Sequence, residues 1–78
     1  MMKLKFTRHS KRRMNLYHIS DEDVEKVLKT SDKIITKTVK YQAIASLPKF
    51  NYPVKVVYKE YSDHILIITV YPLRKGIK

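Results

Sequence analysis

The fold is decided by residues 54–71, VKVVYKEYSDHILIITVY. Alternation of apolar and polar residues from 54 to 59 predicts a strand with one buried face. Residues 60–63 then form the turn of a hairpin, and residues 64–71 form its second strand. Because this second strand is apolar on both faces, we expect it to be covered on both sides inside a sheet. The first strand turns Val54, Val56 and Tyr58 to one side and Lys55, Val57 and Lys59 to the other; the second turns Leu66, Ile68 and Val70 to one side and Ile65 and Ile67 to the other.

Two helices are expected upstream of this hairpin. A short strand at residues 2–6 is followed by Thr7, which caps a helix that ends near residue 16 or 17. Ser20 precedes three acidic residues, so it predicts the N-cap of a second helix, which ends near residue 30 or 31. The acids lie at the positive end of the helix dipole. The acidic cluster thus has a structural explanation, which we prefer to a metal-binding or catalytic one.

Between the helices and the hairpin, residues 33–40 predict a strand because they are rich in Ile, Thr and Val. Residues 41–47 are either its continuation or a separate strand, since no tight-turn signal divides the two, and Pro48 ends the segment. The order strand, helix, helix and three or four strands predicts a single α+β domain over residues 1–78. We expect two N-terminal helices on one face of a mostly antiparallel sheet, with the last strand in the middle of the sheet, next to the first.

Composition excludes several classes of function. The 78 residues are 44% apolar and 31% charged, which suits one small globular domain. Cysteine is absent and Gly76 is the only glycine, so thiol chemistry, Cys-ligated zinc and glycine-rich phosphate loops are excluded. The longest apolar run, residues 65–68, is far shorter than a membrane span, and no secretory signal is recognisable. We therefore expect a cytoplasmic protein, whose thin core favours a partner or a homodimer.

The net charge of +10 is unevenly distributed along the chain. Residues 1–19 carry six basic and no acidic side chains, and residues 33–59 carry six lysines and again no acid. Such segregation favours a polyanionic partner, because binding releases counterions from phosphates. We therefore expect RNA or the ribosome as partner; the alternative is a lysine coat that only keeps the protein in solution. A membrane surface is not expected, because the basic residues do not share one long amphipathic helix.

Four stretches of the chain resemble the pattern of a small uncharacterised domain family. They are residues 9–14 (HSKRRM), Tyr17, residues 19–24 (ISDEDV) and residues 68–71 (ITVY). That family is similar to the RelE/ParE superfamily of toxins from toxin–antitoxin systems. The resemblance implies a RelE-like β-α-α-β-β-β fold, cleavage of messenger RNA or inhibition of translation, and an acidic antitoxin as partner. Some relatives act on DNA gyrase instead, and many family members carry an arginine where this chain has Tyr17.

Metal-free RNA cleavage needs a base, an acid and a cation near the phosphate. His9 can transfer the proton, because histidine titrates near neutral pH. Arg13, one helical turn later, can hold phosphate oxygens in a bidentate manner, and Tyr71 can stack on a base or donate a proton. We assign these three as candidate catalytic residues that need no cofactor; no metal site is expected, because no two of the three histidines are one helical turn apart. The candidate nucleic-acid-binding residues are Arg12, Lys55, Arg74 and Lys75.

Each candidate also has a purely structural alternative. His9 can bond the start of its own helix or pack beside Phe6, and Arg13 can pair with the acidic cluster. Tyr71 can fill the core or the sheet edge, and the basic tail at residues 74–75 can simply be solvated. The same fold can thus serve as a non-enzymatic nucleic-acid-binding or protein-interaction module. Convergence of His9, Arg13 and either Tyr71 or the basic tail on one basic surface favours the toxin hypothesis, and scatter favours the module.

Overall fold

The structure is a computed structural model that describes residues 3–30, 33–35, 40–48, 50 and 52–73, and for residues 33–35 it describes the backbone. Both predicted helices and the predicted hairpin are confirmed. The predicted strand at residues 33–40 is confirmed at its start, whereas residues 36–39 lie outside the described residues. The elements are β1 (Lys3–Phe6), α1 (Arg8–Tyr17), α2 (Asp21–Thr30), β2 (Lys33–Ile35), β3 (Tyr41–Ala45), β4 (Val54–Glu60) and β5 (His64–Pro72).

The described strands form one sheet in the order β1-β5-β4-β3-β2. β1 runs parallel to β5, and the other three pairings are antiparallel, so the prediction of a mostly antiparallel sheet is confirmed. β3 pairs with β2 in antiparallel register, which makes residues 41–45 a separate strand rather than a continuation. The last strand lies inside the sheet beside the first, as expected, while β4 takes the central position.

Helix α1 begins at a cap that also ties it to the sheet. The Thr7 hydroxyl accepts a hydrogen bond from the backbone N–H of Ser10 and donates one to the carbonyl of Ile68 on β5, each at 3.0 Å. The helix ends at His18, whose φ of 57° lies in the left-handed region. That conformation turns the chain back onto the last turn of the helix, so His18 acts as the C-terminal cap.

Helix α2 begins at the capping residue that the sequence predicts. The Ser20 hydroxyl accepts a hydrogen bond from the backbone N–H of Asp23 at 3.1 Å. The Asp23 carboxylate accepts in return from the backbone N–H of Ser20 at 2.9 Å. This reciprocal pair satisfies two backbone donors that the first turn of a helix otherwise leaves free. Asp23 is buried at this cap, with 5% of its surface exposed, so at least one acid of the cluster has a structural role.

Replacing Ser20 with alanine is expected to lower the free energy of unfolding by about 1 kcal/mol, the usual value of a serine cap. Chemical denaturation followed by circular dichroism measures the change. Ser46→Ala is the matched control, because Ser46 is an exposed serine outside both helices. An equal loss in both variants would show that the Ser20 cap does not stabilise α2.

The core lies between the two helices and one face of the sheet. α1 packs against β5, and α2 packs against β3 and β4. The alternation predicted for β4 is confirmed, because Val54, Val56 and Tyr58 are buried while the residues between them are only half-buried. The buried apolar side chains are Met14, Ile19, Val24, Val27, Ala43, Leu47, Val54, Val56, Tyr58, Ile67 and Val70.

Strand β5 departs from the predicted alternation. The register between β4 and β5 shifts at residues 57–58, which leaves Ile68 as an extra residue in a bulge. Ile67 and Val70 are therefore both fully buried on the helix side, although they are three residues apart. The prediction that placed Ile68 and Val70 together on the face opposite Ile67 is wrong, because a bulge reverses the alternation that follows it.

The other face of the sheet is left open by both helices. The expectation that β5 is covered on both sides is wrong for the described part of the chain, because Leu66 and Tyr71 are only half-buried. Alternation and cross-strand register place four lysines on this face, which are Lys3 and Lys5 of β1 and Lys55 and Lys59 of β4. The apolar side chains among them are Ile44, Val57, Leu66 and Tyr71. We call these eight residues the free sheet face.

Candidate nucleic-acid interface

His9 lies on the first turn of α1, with its side chain exposed against strand β5. Its Nε2 is 3.1 Å from the hydroxyl oxygen of Thr69, a hydrogen bond between residues 60 positions apart. The structure gives the His9 ring a hydrogen-bond partner that the sequence did not suggest. The ring bonds the strand rather than the start of its helix, and it is the ammonium group of Lys11 that lies 4.6 Å from the centre of the Phe6 ring. The imidazole is therefore open to solvent and held beside the sheet.

Thr69 connects this imidazole to two other predicted site residues. Thr69 and Tyr71 are two residues apart on β5, so they lie on the same side of the strand at a separation of about 7 Å. Tyr71 is paired in register with Lys55 of β4, whose ammonium group lies 5.6 Å from the centre of the tyrosine ring. That distance is within the range of a cation–π contact. The His9–Thr69 bond and the Tyr71–Lys55 pair thus lie along the same stretch of β5, between the start of α1 and the free sheet face.

Arg13 follows His9 by one helical turn but has a different partner. One guanidinium nitrogen donates to the hydroxyl of Tyr17 at 3.3 Å. The pairing with the acidic cluster that we considered for Arg13 is made instead by Lys11, which lies 3.7 Å from Asp21, with both side chains exposed. The phenol at position 17 therefore orients Arg13. A guanidinium has five N–H donors, so this bond leaves most of them able to bind phosphate.

The other predicted binding residues are Arg12 and the basic tail at residues 74–75. Arg12 is exposed on α1. Arg74 and Lys75 fall outside the described residues. Three further lysines of the free sheet face are not among the candidate binding residues that we named from the sequence. The alternation within β1 and β4 is the signal that could have identified them. They are Lys3, Lys5 and Lys59.

A second polar cluster, which the sequence analysis did not identify, lies at the turn between β4 and β5. Nδ1 of His64 is 2.7 Å from a carboxylate oxygen of Asp63, and the Tyr61 ring stacks on the imidazole with the ring centres 4.7 Å apart. The hydrogen bond from His64 holds the pKa of the Asp63 carboxyl below its ordinary value. A backbone hydrogen bond within Asp63 and the positive charges of His64 and Lys5 act in the same direction. The sequence offered only an Asp-His dipeptide at a turn, which is a weak signal.

Within the described ranges, no three His, Asp or Glu side chains are grouped so that they can hold a metal ion. No described helix is long and apolar enough to cross a membrane.

Comparison with known proteins agrees with this architecture. No curated protein sequence matches the chain. The 1.1 Å crystal structure of the Brucella abortus ribonuclease toxin BrnT is similar to it with a TM-score of 0.73 and 13% identity, over 96% of this chain and 100% of BrnT. At that identity the similarity establishes the α+β fold. Residues 6–72 match a family described as a domain of unknown function, DUF4258. Since the match spans most of the chain, the protein belongs to the DUF4258 family.

Proposed function

We propose that this protein is a toxin of the RelE/ParE type that binds single-stranded RNA on the free sheet face and cleaves it without a metal ion, with His9 as the proton-transfer residue. The observation that carries the proposal is the hydrogen bond between His9 and Thr69, which holds an exposed imidazole beside β5, two residues before Tyr71 and the lysine that contacts it, Lys55. A proton-transfer group, an aromatic ring and a fixed cation then lie along one path.

The charge of the free sheet face supports RNA as the ligand. Four lysines lie around a half-buried apolar centre, and the described strand residues include no acid with the same orientation, because Glu60 is in register with Ile65 on the helix side. Sheets that bind single-stranded RNA use aromatic rings to stack the bases and basic groups to hold the phosphates. Tyr71 with Lys55 provides one such pair.

The chemistry follows from the groups in place. The imidazole of His9 accepts the proton of a ribose 2′-hydroxyl, and the 2′-oxygen attacks the adjacent phosphorus. The bond from phosphorus to the 5′-oxygen breaks, and that oxygen takes a proton from Tyr71 or from water. Arg13 and Lys55 stabilise the charge on the phosphoryl oxygens. The products are a 2′,3′-cyclic phosphate and a 5′-hydroxyl end.

The similarity to BrnT supports a toxin-like role. BrnT, whose fold this chain shares, is described as a ribonuclease toxin. Our proposal includes a cytoplasmic location and an antitoxin as partner. An acidic antitoxin segment would neutralise the free sheet face and compete with RNA for the lysines. A homodimer through the same face is disfavoured, because two chains with a net charge of +10 repel each other.

The direct test is to incubate the purified protein with a long unstructured RNA in the presence of EDTA. We expect discrete cleavage products with 2′,3′-cyclic phosphate ends, and growth arrest when the protein is expressed in bacteria. Cleavage that EDTA abolishes would contradict the metal-free mechanism, and intact RNA together with normal growth would contradict the toxin function.

A second candidate is a non-enzymatic nucleic-acid-binding module. It is favoured by one specific feature, the Lys55–Tyr71 pair, which lies on the free sheet face and does not depend on His9. This module predicts RNA binding that weakens with salt and persists after removal of His9, with no cleavage. The same incubation separates the two functions, because only the toxin yields products.

A further inference from the structure

The cluster at the β4–β5 turn holds a histidine in a defined orientation. Carboxylates only accept hydrogen bonds, so the distance of 2.7 Å means that Nδ1–H of His64 donates to Asp63. The stacked Tyr61 ring covers one face of the imidazole. The other ring nitrogen, Nε2, has no hydrogen-bond partner among residues 3–30, 40–48, 50 and 52–73. Asp63 and Tyr61 thus position a ring whose second nitrogen is available to a ligand.

Two lysines of the neighbouring strand β1 lie close to this histidine. His64 is in register with Lys3 on the neighbouring strand β1, and the charge of Lys5 reaches the Asp63 carboxylate. Lys3 and His64 therefore extend from the same side of the sheet, on strands about 5 Å apart. The two lysines outweigh the single carboxylate, which hydrogen-bonds His64 at the ring nitrogen away from Nε2. These positive groups suit a phosphate oxygen better than they suit an uncharged ligand or a metal ion, which would need more carboxylates.

We propose that His64, Lys3 and Lys5 form a second phosphate-binding subsite for the same RNA strand, at the opposite end of the free sheet face from His9. This subsite rests on the proposed RNA binding, and it marks the path that the RNA strand takes across the free sheet face. Thr69, which holds His9, is five residues along β5 from His64, or about 16 Å at the rise of an extended strand. That span covers several phosphates of an extended single strand. His64 binds there and takes no part in cleavage.

Binding to the wild-type protein tests the subsite without any need for cleavage. The probe is a 2′-O-methyl RNA octanucleotide, which has no free 2′-hydroxyl, and the readout is the NMR signals of the three imidazoles. We expect the octanucleotide to shift the signals of both His64 and His9 and to leave those of His18 in place. An octanucleotide that shifts His9 alone would overturn the subsite. A shift of His64 alone would support it while contradicting the proposed role of His9, and no shift at either ring would overturn both.

Variants give a second, quantitative readout. We expect His64→Gln to weaken binding of the octanucleotide about ten-fold, the effect of removing one charge-assisted hydrogen bond. His18→Gly is the matched control, because it also removes an imidazole and keeps the left-handed cap at that position. Binding of the octanucleotide that is equal in both variants would contradict the subsite. Preferential binding of a polyglutamate peptide over the octanucleotide would identify a protein ligand instead and also overturn the proposal.

Discussion

Replacing His9 with alanine is expected to lower the rate of RNA cleavage by about 100-fold or more. A positioned general acid or base typically accelerates a reaction by a factor of this size. The side chain is exposed and its one described hydrogen bond is with the Thr69 hydroxyl. The substitution therefore removes the proton-transfer group with little effect on the core. The measurement is the single-turnover rate of cleavage of a defined RNA, with the melting temperature recorded in parallel.

His18→Gly is the control for this experiment. It removes a histidine from the end of the same helix, at a position where glycine adopts the observed φ without strain. We expect its cleavage rate to equal that of the wild type. A His9→Ala protein that cleaves as fast as the His18→Gly protein would exclude His9 from the chemistry and favour the binding module.

Replacing Lys55 and Lys59 together with glutamine is expected to reduce the salt dependence of RNA binding. For a single strand, the plot of log affinity against log salt has a negative slope, and each phosphate that the protein no longer neutralises makes this slope less steep by about 0.7. The slope of the double variant should therefore be less steep by about 1.4. Both side chains lie on the free sheet face, beside Val57 on the same strand. Fluorescence anisotropy with a labelled RNA over a range of salt concentrations measures the slope.

The matched control is Lys26→Gln with Lys29→Gln. These two lysines are exposed on α2, on the helix side of the protein, and the change in net charge is the same. A face-specific site predicts a smaller reduction of the slope in the control than in the Lys55 and Lys59 variant. Equal reductions would mean that RNA responds to the total charge of the protein, as the lysine-coat alternative requires.

Local sequence signals account for the elements of the fold. Ser20 predicts the start of α2 because it precedes a run of acids, and the bonds that it makes with Asp23 lie within one helical turn and form as soon as that turn forms. Alternation in β4 separates buried valines from lysines because successive side chains of a strand point to opposite faces of the sheet. These signals fail at β5, where the bulge at Ile68 depends on pairing with β4 and leaves no mark in the strand's own sequence.

The candidate site can likewise be divided into features that local sequence predicts and features that depend on contacts between distant residues. Composition and local pattern are enough to establish the excess of positive charge, the exclusion of thiol chemistry and glycine-rich phosphate loops, and the position of His9 at the start of a helix. The bond of His9 with Thr69 and the position of Lys55 over Tyr71 are visible in the folded molecule alone. The physical reason is that hydrogen bonds and ring contacts between distant residues depend on strand register and on how the helices dock, and both are set by packing of the whole core.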